Sequence, residues 1–337
     1  MPGEPRTAGA WSITVLCGGL GGARVALALR RLGLDGAATF VTNVGDDLTV
    51  DGLTVCPDTD AVLYALEGRF DEERGWGVRG DRFPTATGTG PAAGTAGWFN
   101  LGDADREHHR HRQARLDSGR SLSGATADLA GAAGLAARVI PATDDPLRTR
   151  VRSADGERAW QEWLVRDGAR PVPTEVAYDG LGGARPAPGV LDAIAGAATV
   201  LVAPSSPVAS VAPILALPGV VDVLAARADP AVAVSPVVAR RPPVTARDRQ
   251  RAHARAVLLA AGGFGHDPVE VARWYAQRWP GAVGVLVLDP VDAADAAAVE
   301  AHGLAVRVAP APTTTVDGLS ALLADRGRGL RPAPPRA

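Results

Sequence analysis

The chain has 337 residues, enough for one large domain or two, and its 46% hydrophobic and 21% charged residues match a folded globular protein. With 35 basic and 37 acidic residues the formal charge is −2, which removes the electrostatic footprint of a dedicated nucleic-acid binder. All the basic residues are arginines, so lysine Schiff-base chemistry and the P-loop lysine are excluded, and two cysteines, Cys17 and Cys56, cannot build a Cys-rich zinc site or a disulfide framework. No signal peptide is visible and no apolar run approaches the ~20 residues that span a bilayer, so the expected compartment is the cytoplasm, without a membrane partner.

In chain order, residues 1–10 read as a disordered lead-in. An apolar strand at 12–17 ends on Gly18-Gly19-Leu20-Gly21-Gly22, and an apolar helical pattern follows to about Gly33. A second strand, 38–43, reaches the polar segment GDDLTVDG; LTV at 53–55 leads into Cys56-Pro57-Asp58-Thr59-Asp60, with a helix from Ala61 through Leu66. The breaker-rich 84–97 predicts a mobile loop, and 101–135 predicts helix with Ser121 or Ser123 as N-cap and Gly134 as stop. Residues 148–153 and 157–166 predict an antiparallel pair around Ala154-Asp155-Gly156. Buried strands at 198–204, 231–235, 283–289 and 305–310 alternate with helices at 250–261, 268–278 and about 315–325.

This alternation predicts an α/β fold, a Rossmann-like doubly wound and mostly parallel sheet. Residues 11–65 and 195–326 would form the nucleotide-binding core, with 66–194 an inserted, partly helical region (helical at about 98–136) and 327–337 a disordered tail.

Six constellations bear on chemistry. The run GGLGGAR lets backbone N–H groups approach a phosphate beside Arg24, or simply lets strand and helix pack closely. Asp46, Asp47, Asp58 and Asp60 fall near strand ends, where they offer Mg²⁺ ligands or a base for an attacking hydroxyl, or act as ordinary turn formers. His108, His109 and His111 do not share one helical face and are flanked by arginines, which favours a solvated face, or a helix touching an anion, over a metal site. Asp103 and Asp105 suit helix capping or ligand contact. The segment 203–215 carries Ser205 and Ser206 after a strand, as nucleotide contacts or as a Pro-fixed turn. Six arginines within 239–255 suit either a polyphosphate or a solvated helix start, and Trp76, Phe83, Trp98 and Phe99 either close a small core or stack on a planar ring.

Together the segments ITVLCGGLGGAR, TNVGDD…GLTVCPDTD, DEERGWG, LGDADREHHRHR, SGRSLSGAT, PATDDP, QEWLVR, APSSPVASVAPIL and SPVV, spread over about 12–240, resemble the 2-phospho-L-lactate transferase family of coenzyme F420 biosynthesis, which includes phosphoenolpyruvate transferases. The resemblance implies a Rossmann-like core with a helical insertion and transfer of a phosphoenolpyruvyl or 2-phospholactyl group. The donor would be a guanosine diphosphate ester, the acceptor the ribityl hydroxyl of the deazaflavin Fo, and the products GMP and (dehydro) F420-0. It also implies Mg²⁺ on Asp46 and Asp60 as the catalytic pair, with Asp47 and Asp58 orienting the site or taking the proton. Gly19, Gly21, Gly22 and Arg24 would line the phosphates, Ser205 and Ser206 the guanosine, and Asn100, Asp103 and His109 further substrate contacts, in a homodimer. Departures from the family pattern are Ala104 for an arginine, Asn100 for a basic residue, Ser206 for an asparagine, and ARRPPVTARDRQ in place of a Gly-Gly…Lys-Gly-Pro-Ala loop.

Two other classes remain in view. A non-catalytic nucleotide-sugar-binding regulator of the related fold would carry a DDGGSSG-like stretch where this chain has GDDLTVDG. An NAD(P) oxidoreductase would end the second strand on a ribose-gripping acid, where this chain has Thr42-Asn43-Val44-Gly45.

Overall fold

The computed structural model describes residues 12–83, 97–309 and 318–320. The expected terminal disorder at 1–10 and 327–337 lies outside the described residues. So do the 84–97 loop except Gly97 and the last helix except residues 318–320, which are helical.

Strand β1 (Ile13–Cys17) runs directly into α1 (Gly19–Arg31), and β2 (Ala38–Thr42) lies parallel to β1. The hairpin β3 (Leu48–Val50) and β4 (Leu53–Val55) leads into α2 (Pro57–Glu67). Helices α3 (Asp103–Asp117) and α4 (Leu122–Ala132) precede β5 (Arg138–Pro141). A small antiparallel sheet follows, made of β6 (Arg148–Ser153), β7 (Gly156–Ala159) and β8 (Pro173–Asp179). Then come α5 (Val190–Gly196), β9 (Thr199–Val202), α6 (Ala212–Leu215), α7 (Val220–Ala225) and β10 (Val232–Val234). The chain continues through α8 (Ala246–Ala261), α9 (Pro268–Arg278), β11 (Val285–Leu288), α10 (Ala296–Glu300) and β12 (Ala305–Val308).

The central sheet has seven parallel strands in the order β12-β11-β10-β9-β1-β2-β5. Strand pleating sends alternate residues to opposite faces. Leu16, Val41, Val200 and Leu286 thus face the core under α5, α7 and α9, while Val15, Phe40, Leu201 and Val285 face the one under α1 and α2. Both faces are covered, as the near-continuous apolar strands require. Each fully buried Val, Leu or Phe contributes about 1.5–3 kcal/mol. Strand order reverses at β1, which has β2 on one side and β9 on the other, so the carboxyl ends of these strands border a topological switch-point crevice. Among the described residues no helix is long and apolar enough to cross a membrane.

Four local readings change. Residues 138–141, assigned from the sequence to the insertion, form β5 at the edge of the central sheet, so the insertion is interrupted by a core strand. The second strand expected over 157–166 stops at Ala159. Trp160 and Trp163 are both buried in one cluster, and a spacing of three puts them on one face of a helical turn but on opposite faces of a strand. Helix α2 starts at Pro57 rather than Ala61, because proline fits the first helical position, where no N–H is needed. The β3–β4 hairpin turns on Asp51-Gly52, both at positive φ (51° and 77°), a turn the sequence reading left inside a polar segment. Ser121 is the N-cap of α4, accepting from Gly124 N at 3.1 Å.

The small sheet does more than decorate the core. Val151, Trp160 and Trp163 pack with Ala254 and Leu258, so the insertion's strands hold α8 in place over the crevice.

Candidate functional site

The crevice is a cavity of about 960 Å³, within the usual range of ligand pockets. Its floor is built by the ends of β1, β2 and β9. Asn43, just past β2, donates through Nδ2 to Asp58 Oδ2 (2.9 Å) and Asp46 Oδ1 (3.2 Å). Gln161, from the turn after β7, donates to Asp46 Oδ2 at 3.0 Å. Burial pushes both carboxyls up, Asp58 to about 6, and the charge of Asp58 raises Asp46 further. Both line the cavity.

Asp58 also explains part of the glycine turn. A Cβ at Gly18 would lie 2.1 Å from Asp58 Oδ2, and one at Gly19, whose φ is +48°, 3.1 Å from Oδ1. Gly21 faces Pro204, where a Cβ would meet the carbonyl oxygen at 2.6 Å, and Gly22 faces Cys17 Sγ at 2.8 Å. Gly18, Gly19 and Gly21 line the cavity, whereas Gly22 serves strand–helix packing, so both readings of the run hold at different residues. Ser205 clamps this turn: its Oγ donates to Gly18 O (2.8 Å) and accepts from Gly18 N (3.0 Å). Ser206 caps the turn after it, accepting from Ala209 N at 3.3 Å, and lines the cavity.

Asp60 occupies a different environment from the one expected of a metal ligand. Residues two apart on a helix point to different sides. Asp58 therefore opens to the cavity, while Asp60 turns to α3 and is fully engaged there. Arg112 Nη2 donates to its Oδ1 and Nη1 to its Oδ2 (3.1 Å); His108 Nε2 lies 3.1 Å from Oδ1, and Cys56 N donates to Oδ2 at 3.1 Å. Burial opposes the charge, but Arg112 outweighs it and holds the Asp60 carboxyl well below the usual carboxylate range. His109 is buried beside them, its pKa lowered to about 3 by burial. Arg112 and His108 thus grip an anion, and that anion is Asp60, while His109 Nδ1 lies 3.2 Å from Arg112 Nη1. His111 is exposed and pairs with Glu107 at 2.9 Å.

The other expected contacts divide. Asn100 lines the cavity; Asp103 is exposed in the first turn of α3 and His109 is buried behind Asp60, so neither reaches it. Asp47 is buried away from the cavity, its oxygens without a hydrogen-bonding N–H or O–H, and burial raises it to about 7 despite Arg148 nearby. Trp76 and Phe99 line the cavity, joined by Trp160; Trp76 is held edge-to-face by Phe83 (5.6 Å between ring centroids), with Arg74 stacked over it at 5.0 Å. The sequence does not single out Asn43, Gln161 or Arg112 as site residues, although Gln161 lies in the QEWLVR segment and Arg112 in LGDADREHHRHR.

The cavity lining beyond the acidic floor is rich in arginine. Arg24 from α1 and Arg241, Arg247, Arg251 and Arg255 from the segment into α8 belong to it. Arg255 and Arg251 are lowered to about 10 by burial, Arg251 further by Arg247 and Arg24. The 239–255 cluster is therefore not merely a solvated helix start: Arg241, Arg247, Arg251 and Arg255 face the cavity, whereas Arg240 and Arg249 do not line it.

No cluster of three or more His, Cys, Asp or Glu suited to a metal occurs among the described residues. The donor set that fits Mg²⁺ is the desolvated pair Asp46 and Asp58, since Mg²⁺ takes one or two carboxylates and completes its shell with water and substrate phosphates. Asp60 has no oxygen to spare.

A crevice at a switch point, lined by paired carboxylates and by arginines, suits a phosphorylated substrate. Comparison with known proteins agrees. The family model described as 2-phospho-L-lactate transferase CofD matches residues 13–303. The phosphoenolpyruvate transferase of Streptomyces avermitilis is 39% identical over 314 residues, covering 90% of this chain and 93% of that protein. Its counterpart from Mycolicibacterium smegmatis is 40% identical over 221 residues, 61% of this chain and 68% of that protein. Among solved structures, a UPF0052 family protein from Bacillus halodurans aligns at TM-score 0.59 and 15% identity, over 88% of this chain and 92% of that one, a likeness of fold. The chain belongs to the CofD family of phosphoenolpyruvate and 2-phospho-L-lactate transferases that serve coenzyme F420 biosynthesis.

Proposed function

We propose that this transferase moves a phosphoenolpyruvyl group from a guanosine diphosphate ester to the ribityl hydroxyl of Fo, releasing GMP and forming dehydro-F420-0. The carrying observation is the polarity of one cavity, which is lined by the paired carboxylates Asp46 and Asp58 and by a wall of arginines. A donor with a diphosphate at its centre complements that wall, and phosphoryl transfer calls for charge neutralisation and in-line positioning more than for covalent chemistry. The relatives named phosphoenolpyruvate transferase support the enolpyruvyl over the lactyl donor.

In this reading Asp46 and Asp58 hold Mg²⁺, which when bound neutralises phosphate charge and lowers the cost of ionising the attacking hydroxyl. Asn43 and Gln161 aim the two carboxylates. Gly18 and Gly19 let Asp58 lie against the turn that begins α1, where the Gly19 N–H meets the Asp58 carboxyl and the next N–H groups, without an intrahelical acceptor, suit a phosphate oxygen. Trp76, Phe99 and Trp160 offer faces for the deazaflavin ring. Asp60, with Arg112, keeps α2 and α3 in register beneath the site rather than touching substrate.

Purified protein is incubated with Fo and each guanosine diphosphate ester, with and without Mg²⁺, and products are weighed by mass spectrometry. Magnesium-dependent GMP and dehydro-F420-0 from the enolpyruvyl ester are expected. Preference for the lactyl ester would reassign the donor, and nucleotide binding without turnover would move the chain to the regulator class.

A further inference from the structure

Three guanidinium groups of the basic wall have acids only at a distance: Asp248 and Glu72 attract Arg24, and Asp248 and Asp58 attract Arg251. Among the described residues, Arg24, Arg247 and Arg251 have no carboxylate at ion-pair distance. Arg247 and Arg251 are held from behind by the 71–77 loop: Arg247 Nη1 donates to the Glu73 carbonyl, and Arg251 Nη2 to the Gly75 carbonyl at 3.1 Å. Both converge on Gly75, whose φ is +69°; a Cβ there would lie 2.9 Å from Arg247 Nη1 and 3.1 Å from Arg251 Nη1. The two groups thus lie side by side, with Arg24 close enough to add to the repulsion on Arg251. Arg251 Nη1 and Arg247 Nε are buried and make no hydrogen bond.

The one acid of the same helix turn, Asp248, attracts Arg24 and Arg251 from beyond ion-pair distance while it serves the helix cap. Its carboxylate accepts from Thr245 N (3.3 Å) and Thr245 Oγ1 (2.7 Å) in the cap of α8. Contrast Arg240 on the same segment, which pairs with Asp295 at 2.6 Å and Asp292 at 3.1 Å outside this cavity. Like charges held together by backbone carbonyls, with donors left over, make a cradle ordered in advance for a multiply charged oxyanion.

We infer that Arg24, Arg247 and Arg251 form a dedicated oxyanion cradle that binds the charged end of the donor, in a chain with no lysine for that task. This rests on the diphosphate-ester reading above. Two parts of such a donor have the right chemistry, its diphosphate and the carboxylate of its three-carbon acid.

The test is calorimetric titration of the full chain with GDP and, separately, with phosphoenolpyruvate, in wild type, Arg251→Gln, Arg247→Gln/Arg251→Gln and Arg24→Gln. The double variant should lose about tenfold or more in affinity for at least one probe. Loss of GDP binding assigns the cradle to the diphosphate, and loss confined to phosphoenolpyruvate assigns it to the carboxylate. Arg240→Gln should bind both as wild type does. Melting of the ligand-free proteins separates binding from structure: relief of repulsion should leave Tm of Arg251→Gln equal to or above wild type while the GDP- or phosphoenolpyruvate-induced rise in Tm shrinks. Unchanged affinity for both probes, or a lowered ligand-free Tm with unchanged affinity, overturns the inference. Binding that fails in the variants while the wild type shows no transfer activity would keep the cradle and remove the proposed reaction.

Discussion

The floor and the wall of the cavity solve opposite problems. On the floor, every cavity-facing carboxylate is held by a neutral amide: Asp46 by Asn43 and Gln161, Asp58 by Asn43. On the wall, Arg247 and Arg251 stand together, and the hydrogen bonds that restrain them come from backbone carbonyls. The floor rests on parallel strands buried on both faces, whereas the wall depends on α8, which the small antiparallel sheet holds in place. A scaffold buried on both faces can fix a pair of carboxylates to within hydrogen-bond tolerance. A helix packed on an insertion brings in Arg247 and Arg251, which make no ion pair in the ligand-free protein. The difference teaches which residues serve the fold and which wait for a ligand.

The sharpest way to break this contrast lies beneath the floor. Asp60→Asn should destabilise the protein by about 3–5 kcal/mol, because Arg112 is left charged, buried and unpaired. Denaturant unfolding measures it, and an Asp60→Asn protein of normal stability but without activity would return Asp60 to the metal. Asp58→Asn, two residues away, should do the reverse. It should lower kcat by about 10²–10³-fold, equivalent to about 2.7–4 kcal/mol, with the circular dichroism spectrum and unfolding midpoint preserved. Gln161→Ala tests the insertion's contribution to the floor, and about a tenfold fall in kcat, ~1.4 kcal/mol, is expected.

The smallest effect concerns the far end of the wall, where His266 Nε2 accepts from Arg255 Nε at 3.3 Å. Burial, then Arg255, lowers His266 from 6.5 to about 4. Between those values the unfolded chain binds the extra proton, so His266 stabilises the native state fully above about pH 6.5 and that stability is lost as pH falls toward 4. His266 is only half-buried, so after solvent screening the loss is about 1 kcal/mol. Urea unfolding at pH 7 and pH 4.5 should show a shallower pH dependence for His266→Gln than for wild type; equal slopes would mean that the imidazole is solvated.

Much of the fold is legible along the chain. Short apolar runs ending in glycine, followed by helical periodicity, predict β1–α1 and the later strand–helix alternation, because burial on both faces leaves continuous Val/Leu/Ala strands. Less legible is the region between α2 and β9. There β5 reads as part of an insertion, since nothing local in Arg138–Pro141 says that its partner is β2, almost a hundred residues earlier. The tryptophans at 160 and 163 look compatible with a strand until a shared cluster demands that they face one way.

For the site, sequence identifies the set of four aspartates but not their division of labour. Asp58 and Asp60 differ by two positions on one helix, and only the arrival of α3 on one side decides which of them meets Arg112. The arginines of α8 are likewise visible as a cluster, yet their direction depends on the small sheet beneath them.

By itself, then, the order of residues determined the alternating architecture, the glycine turn after the first strand and the chemical inventory of acids and arginines, because these follow from local periodicity and composition. Only the tertiary structure decided which carboxylate is open, which is locked in an ion pair, and which arginines make no ion pair. Desolvation and pairing are properties of what the rest of the chain brings close, and that proximity is not written in neighbouring residues.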